Sequence, residues 1–225
     1  MVTPEEEMID KIKQSIYFVE KKKKIKLLTN LLKNKDLKSV LVFSRTKHGA
    51  NKIVHDLEES GIRANAIHGN KSQSARQKAL ALFKTQQVRV LVATDIAARG
   101  IDVDELSHVI NYDLPEVPET YIHRIGRTGR AGLGGYAISF CSQEEADLLK
   151  DIQKHIKMNI EVVEHPVYSI MIVATKPVSK SQKGNQPSGR KPNTRKRQNS
   201  NKVNPKNFTK HDNKNQRRNS KQNTK

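Results

Sequence analysis

Short apolar runs alternate with amphipathic stretches along the first 165 residues of the chain. Almost continuously apolar runs predict five strands, at residues 39–43, 64–67, 88–94, 108–112 and 136–140. Strands that are apolar along their whole length are typical of a parallel sheet covered on both faces. A weaker alternation over residues 11–20 predicts one more strand, which we expect at an edge of the sheet.

Helical periodicity fills the segments between these strands. Residues 50–57 repeat apolar side chains at helical spacing, and Ser72 stands before the next periodic segment as a cap. Residues 21–32 predict a first helix, and Ser142 with Glu145 has the pattern of a capping box before a last one. Strands and helices that alternate in this way predict an α/β fold, a three-layer doubly wound domain with a mainly parallel sheet.

The net charge of +19 is concentrated at one end of the chain. Residues 176–225 contain 16 Lys and Arg and one acidic residue, Asp212, so 15 of the 19 charges lie there. This segment is rich in Asn, Gln, Ser and Pro, which predicts disorder because too little apolar surface can be buried to offset the ordering entropy. We expect this basic tail to hold nucleic acid by charge alone; the alternative is a solubilising tail.

Several other classes of protein are excluded by the composition. The single cysteine, Cys141, allows no intramolecular disulfide, and its position at the end of an apolar run predicts a buried thiol. No pair of Cys or His residues has the spacing of a structural zinc site. The sequence shows neither a signal peptide nor an apolar run of membrane-spanning length, so we expect a cytoplasmic protein.

Polar and cationic residues follow the predicted strands, where the loops of a parallel sheet meet at one edge. The first three loops read FSRTKHGAN, HGNKSQSARQ and ATDIAARGIDVD, and an arginine cluster, YIHRIGRTGRAGLGG, separates the fourth and fifth strands. Arginine binds phosphate oxygens in a bidentate manner, and glycine allows the chain to bend sharply around such groups. The pattern therefore predicts a polyanionic ligand.

Four strings in these loops resemble motifs of the DEAD-box RNA helicases. VLVFSRTK, HGNKSQSAR, VATDIAARGID and HRIGRTGR are similar, in order and spacing, to the fourth, the glutamine–arginine, the fifth and the sixth motifs of that family. The chain thus resembles the second of the family's two RecA-like domains, most closely in the RhlE-like branch. This implies an interdomain linker remnant at residues 1–11, a RecA-like (P-loop NTPase type) domain at 12–165 and a disordered basic tail at 166–225.

The resemblance also implies what the chain does not provide by itself. No G-x-x-x-x-G-K-[ST] sequence and no DEAD sequence are present. In the family both belong to an N-terminal RecA-like domain, which would hold most of the ATP and its Mg²⁺. We therefore expect this chain to be the C-terminal half of an ATP-dependent RNA helicase, inactive as an ATP hydrolase until it is joined to that partner domain.

Individual residues receive roles only through this resemblance. The contacts to the γ-phosphate would be made by Arg127 and Arg130, with Arg130 as the arginine finger. The ATP ribose would be contacted by Asp102, and nucleotide would be coupled to RNA by Arg99, His123, Arg124 and Gln73. The RNA backbone, without reading of its sequence, would be bound by Arg76, Thr94, Gly100, Arg45, Thr46 and Gly69.

Alternatives stay open at two levels. For single residues, the alternative role of Arg76 is an exposed helix charge, and that of Asp95 is a cap on a turn. For the whole chain, the alternative is a stand-alone RNA-binding or adaptor module that keeps the fold but catalyses nothing. The first residues resemble the family's interdomain junction, which suggests a fragment of a longer protein; an authentic short gene is the other interpretation.

Overall fold

A parallel sheet of seven strands forms the centre of the domain in the computed structural model, which describes residues 9, 11–99, 106–129 and 134–170. The strands are β1 (Ile12–Phe18), β2 (Val40–Phe43), β3 (Ala64–Ile67), β4 (Val90–Ala93), β5 (His108–Asn111), β6 (Gly135–Cys141) and β7 (Glu161–Val162). Their order across the sheet is β3-β4-β2-β5-β6-β1-β7, and every pair is parallel. The predicted α/β fold class is confirmed.

Helices cover both faces of this sheet. They are α1 (Lys24–Leu31), α2 (Lys47–Glu59), α3 (Gln73–Lys84), α4 (Asp95–Ala98), α5 (Pro118–Ile125) and α6 (Ala146–Ile156), with short 3-10 turns at Lys21–Lys23 and Gln143–Glu145. Among these described helices, none is long and apolar enough to cross a membrane.

The central strand β2 shows why continuous apolar runs become buried strands. Val40 and Val42 belong to the core cluster that α1 and α2 complete, whereas Leu41 and Phe43 belong to the cluster that α3 completes. Side chains alternate between the faces of a sheet, so a strand between two helical layers needs apolar residues at every position. A third cluster, formed by β1, β6, α5 and α6, contains the buried thiol of Cys141.

The predicted helix starts are confirmed by their caps. The Ser72 hydroxyl accepts a hydrogen bond from the Ala75 amide at 3.2 Å, and Ser142 and Glu145 form the expected capping box. The Thr46 hydroxyl likewise accepts from the Gly49 amide at 3.0 Å. Each cap comes one to five residues after the end of a strand, so the starts of α2, α3 and the 3-10 turn before α6 all lie at the edge of the sheet where the strands end, here called the carboxyl edge.

The position of the first strand was predicted wrongly. β1 lies between β6 and β7, so the two-residue β7 forms the edge of the sheet. Lys13 on β1 is exposed, and polar residues that alternate with apolar ones made β1 resemble an edge strand. A strand with one face open to solvent shows the same alternation as a strand at the edge of a sheet.

The described chain remains in contact with the domain up to its last residue. Ser169 forms an antiparallel bridge with Val19, and the Ile170 amide donates to the Phe18 carbonyl at 2.9 Å. These residues belong to the segment that the sequence had assigned to the tail. The predicted linker residues 1–8 and 10 and the chain from 171 onward lie outside the described residues.

Candidate functional site

The loops that the sequence singled out are tied to one another at the carboxyl edge. The Ser44 amide donates to the Ala93 carbonyl at 3.0 Å, and the Thr94 amide donates to the Ile67 carbonyl at 3.3 Å. The Tyr112 amide donates to the Phe43 carbonyl at 3.1 Å. The loops after β2, β3, β4 and β5 therefore form one continuous surface.

One cation of this surface, Arg124, is almost completely buried, with a side chain that is 1% exposed. Its Nε and Nη2 donate to the two carboxylate oxygens of Asp95 at 2.6 and 2.8 Å, a bidentate pair. Its Nη1 donates to Asn111 Oδ1 at 3.2 Å and to the Asp113 carbonyl at 2.7 Å. The guanidinium also lies 4.9 Å from the centre of the Phe43 ring. One side chain thus joins α5 to the ends of β2, β4 and β5.

This geometry defines what Arg124 can do. Its donors are occupied by protein groups and its side chain is covered, so it acts on a ligand through the segments that it holds. The Asp95 side chain pairs with Arg124, since both of its carboxylate oxygens accept hydrogen bonds from the guanidinium. In the sequence, this pair is visible only as two charges of opposite sign in neighbouring motifs, 29 positions apart.

The arginine cluster is not confined to the carboxyl edge. Since β5 and β6 are parallel neighbours, the chain between them must return along the sheet, and the eight residues of α5 span about 12 Å of that distance. Arg124 reaches back to the carboxyl edge, but the turn after α5 contacts residues 106 and 107, which precede β5. The cluster is therefore spread along one side of the domain.

The turn that contains Arg127 is held firmly. The Thr128 hydroxyl, which is buried, donates to the Leu106 carbonyl at 2.5 Å, and Gly129 has a left-handed φ of 70°. A Cβ on Gly135 would lie 2.4 Å from the Gly129 amide nitrogen, so only glycine fits there. Arg127 itself is partly exposed. The other predicted ATP contacts, Arg130 and Asp102, and the RNA contact Gly100 lie outside the described residues.

Three of the predicted coupling residues have accessible side chains. Arg99 is exposed at the end of α4, His123 is exposed on α5, and Gln73 is exposed at the start of α3. Gln73 Oε1 accepts a hydrogen bond from Arg76 Nη1 at 3.3 Å. Arg76 Nε is buried and has no partner among the described residues. Their assigned roles stay predictions.

The predicted RNA contacts occupy three neighbouring loops. Thr94 directly follows β4, and Thr46 is exposed and caps α2. Gly69 follows β3, and an added Cβ there would meet nothing within 4 Å. Arg45 instead folds back, with Nη2 3.1 Å from the Leu114 carbonyl and 3.3 Å from Glu145 Oε1. Two hydroxyls, an accessible backbone and a tethered arginine thus stand side by side.

His68, immediately before Gly69, is buried although the two residues that follow it are exposed. Its Nε2 lies 3.0 Å from Asn51 Oδ1, whereas Nδ1 has no partner among the described residues. Burial, and to a smaller extent the charges of Lys71, Lys47 and His48, lower the pKa of His68. The ring is therefore neutral near pH 7.

A second buried ion network escaped prediction. Lys24 Nζ donates to Glu145 Oε2 at 2.6 Å and to the Tyr112 carbonyl at 2.7 Å, and it lies 3.6 Å from Asp113 Oδ1. These residues border a cleft of about 650 Å³ at the carboxyl edge, beside Arg45. The Lys24–Glu145 pair joins positions 121 residues apart, a distance over which no periodic pattern carries a signal.

Comparison with known proteins identifies relatives for this domain. Residues 10–132 match the family described as the helicase conserved C-terminal domain. The chain is 40% identical over 165 residues to the DEAD-box ATP-dependent RNA helicase CshA of Bacillus licheniformis, which covers 73% of the chain and 34% of CshA. The chain thus spans about a third of the length of that relative.

Solved structures agree with this comparison. Escherichia coli DEAD-box protein SrmB, in a complex with regulator of ribonuclease activity A, is 38% identical with a TM-score of 0.66, covering 68% of this chain and 90% of that one. Dbp5 of Saccharomyces cerevisiae, bound to RNA and ADP BeF3, is 34% identical with a TM-score of 0.67, covering 72% of this chain and 44% of that one.

Proposed function

The chain belongs to the DEAD-box RNA helicase family as its helicase conserved C-terminal domain, and we propose that it forms the second half of an ATP-dependent RNA-remodelling site. A separate N-terminal RecA-like domain would form the first half, and RNA and ATP would bind between the two. The reaction proposed for the assembled enzyme is ATP hydrolysis coupled to local separation of RNA strands, in the cytoplasm.

The Arg124–Asp95 pair is the observation that carries this proposal. Asp95 directly follows Thr94, a predicted RNA contact, and Arg124 lies one helical turn before Arg127, a predicted γ-phosphate contact. Two short charge-assisted hydrogen bonds therefore connect the RNA-binding segment to the ATP-binding segment. A shift of the Arg127 turn on nucleotide binding would be transmitted to Thr94 through this pair.

On the ATP side, the chain would contribute cations. ATP supplies the γ-phosphate that is transferred to water, and arginines placed against that group stabilise the charge that develops there. The partly exposed Arg127 and the exposed Arg99 fit such a polyanion. We assign the arginine finger to Arg130 and the ribose contact to Asp102. An arginine finger accelerates hydrolysis by about 10³- to 10⁵-fold.

Magnesium is assigned to the partner domain. Among the described residues, three carboxylates at the carboxyl edge are not exposed, Asp95, Asp113 and Glu145, and each already lies against Arg or Lys. A divalent cation would have to displace these partners. This donor set therefore fits a role in holding cationic side chains better than a role in metal coordination.

On the RNA side, the chain would contact the backbone. Arg76, Thr94 and Thr46 provide a guanidinium and hydroxyls, and the open space at Gly69 allows a strand to approach the main chain. Groups of this kind bind phosphate and sugar without reading bases, so we propose that binding is independent of sequence. The basic tail would add electrostatic affinity.

The test joins the chain to an N-terminal RecA-like domain and measures ATP hydrolysis with and without RNA. We expect negligible activity from the chain alone, RNA-stimulated hydrolysis from the fusion, and a loss of about 10³-fold or more in Arg130→Ala. Arg63→Ala is the matched control, since Arg63 is exposed and precedes β3 at the opposite edge. Full stimulated activity of Arg130→Ala would contradict the assigned finger. A fusion that binds RNA but never hydrolyses ATP would favour the adaptor function.

A further inference from the structure

His68 stands out at the carboxyl edge because one of its ring nitrogens is satisfied and the other is not. The residue is 2% exposed. Nε2 lies 3.0 Å from Asn51 Oδ1, while the buried Nδ1 has no hydrogen-bond partner among the described residues. A buried polar atom without a partner destabilises the free chain and calls for an explanation.

The contact with Asn51 decides which nitrogen carries the proton. An amide oxygen can only accept, so His68 Nε2 must be the donor. In a neutral ring the other nitrogen is then an acceptor. The lowered pKa of His68, caused mainly by burial, keeps the ring in this neutral form near pH 7. Nδ1 therefore offers a lone pair and requires a donor from outside.

The surroundings of Nδ1 narrow the chemistry of that donor. Lys71, Lys47 and His48 lie near enough to His68 to act on its charge, and they favour an anionic ligand. A phosphodiester anion has no proton to donate, so phosphate alone would leave Nδ1 unsatisfied. A ribose 2′-hydroxyl beside a phosphate satisfies both requirements, and deoxyribose does not.

We propose that His68 Nδ1 accepts a hydrogen bond from a ribose 2′-hydroxyl, and that His68 thereby favours RNA over DNA at this site. This inference rests on the proposed RNA-binding function and names the residue that selects the sugar. Gly69 and Asn70, which follow His68, are exposed, and the space at Gly69 is open. The ring therefore lies next to an exposed segment, and the proposal requires that binding of the strand uncovers Nδ1.

Two substitutions separate the two nitrogens. His68→Gln keeps a donor for Asn51 near the position of Nε2 and removes Nδ1. His68→Asn keeps a polar atom near the position of Nδ1 and removes Nε2. Fluorescence anisotropy of the full chain with one short sequence, as RNA, 2′-O-methyl RNA and DNA, measures the preference. The basic tail is unchanged in every variant, so a difference between variants reports on position 68.

We expect the wild-type chain to prefer RNA to both other strands, since 2′-O-methyl RNA keeps the ribose shape but lacks the donor. His68→Gln should reduce the RNA-to-DNA affinity ratio by about two- to twelvefold, the range of one net hydrogen bond, with DNA affinity unchanged. His68→Asn should retain more of the preference. An equal loss for RNA and DNA in His68→Gln would overturn the proposal, because it would indicate a phosphate contact or a damaged fold.

Side-chain nitrogen NMR of the histidines gives a second measurement that needs no variant to fold well. We expect the His68 ring in its Nε2–H form, and an Nδ1 signal that changes with RNA but not with 2′-O-methyl RNA or DNA. A bound RNA that leaves the Nδ1 signal unchanged would overturn this inference alone. A chain that does not bind RNA at all would overturn the proposed function as well.

Discussion

Replacing Asp95 with Asn tests the pair that carries the proposed function. The substitution keeps the shape of the side chain but removes the charge that faces Arg124, which is 1% exposed. Removal of one partner from a buried ion pair costs about 3 to 5 kcal/mol of unfolding free energy. Asp95 is 35% exposed, so solvent weakens its part of the interaction. Arg124 also keeps its bonds to Asn111 and to the Asp113 carbonyl.

We therefore expect Asp95→Asn to lower the unfolding free energy by about 2 to 3 kcal/mol. For a domain of this size, that corresponds to a decrease of about 4 to 12 °C in Tm, measured by circular dichroism. The control is Asp147→Asn. Asp147 and Lys150 form an ion pair at 2.8 Å, close to the 2.6 Å of the buried one, but their side chains are 89% and 60% exposed. A surface pair contributes little, so Tm should stay close to that of the wild type.

A double substitution distinguishes an unpaired buried charge from a general loss of packing. Asp95→Asn combined with Arg124→Met leaves no buried charge without a partner. The double variant should therefore be more stable than the sum of the two single effects on the unfolding free energy predicts. In the fusion with an N-terminal domain, Asp95→Asn should also reduce the stimulation of ATP hydrolysis by RNA. A Tm change no larger than that of Asp147→Asn, together with full RNA stimulation, would refute the reasoning.

Three further predictions concern other parts of the chain. Gly69→Ala should leave Tm unchanged or slightly raised, because Gly69 has no left-handed φ and open space at its Cβ, but it should weaken RNA binding in anisotropy measurements. Thr128→Val should lower the unfolding free energy by about 1 to 3 kcal/mol, because the buried Leu106 carbonyl loses its donor, whereas Thr128→Ser should retain most of the stability in the same thermal measurement. If the tail engages about five phosphates of single-stranded RNA, truncation before Lys176 should make the slope of log affinity against log salt shallower by about 3.5. An unchanged slope would leave the tail as a solubiliser.

The sequence predicted most reliably those features that depend on residues close together in the chain. The strand at 64–67 was predicted with the bounds that the structure has, and Ser72 and Ser142 cap the segments expected. Apolar runs and caps are local, so their physical causes are visible in a short window. The resemblance to DEAD-box motifs then selected the loops that the structure brings together.

The features that escaped prediction depend on long-range pairing. Whether β1 had a neighbour on its second side depended on residues 161 and 162, nearly 150 positions away. The Lys24–Glu145 pair likewise has no local signature, and Glu145 was expected only as part of a capping box. A sequence shows which residues are charged, but it does not show which residues of opposite charge will be buried together. Only the fold determines that.

The two buried ion networks meet at Asp113, and this joins the predicted RNA contacts into one unit. The Asp113 carbonyl accepts from Arg124, while its carboxylate accepts from the Ser44 hydroxyl at 3.2 Å and from the Arg45 amide at 3.0 Å. Arg124 therefore holds the loop after β2 as well as the loop after β4. Networks that are buried and fully paired change between discrete arrangements more readily than they stretch. A displacement of α5 by nucleotide should accordingly move both predicted RNA-binding loops together, and substitutions at Ser44 and Asp95 should be non-additive in their effect on RNA-stimulated ATP hydrolysis.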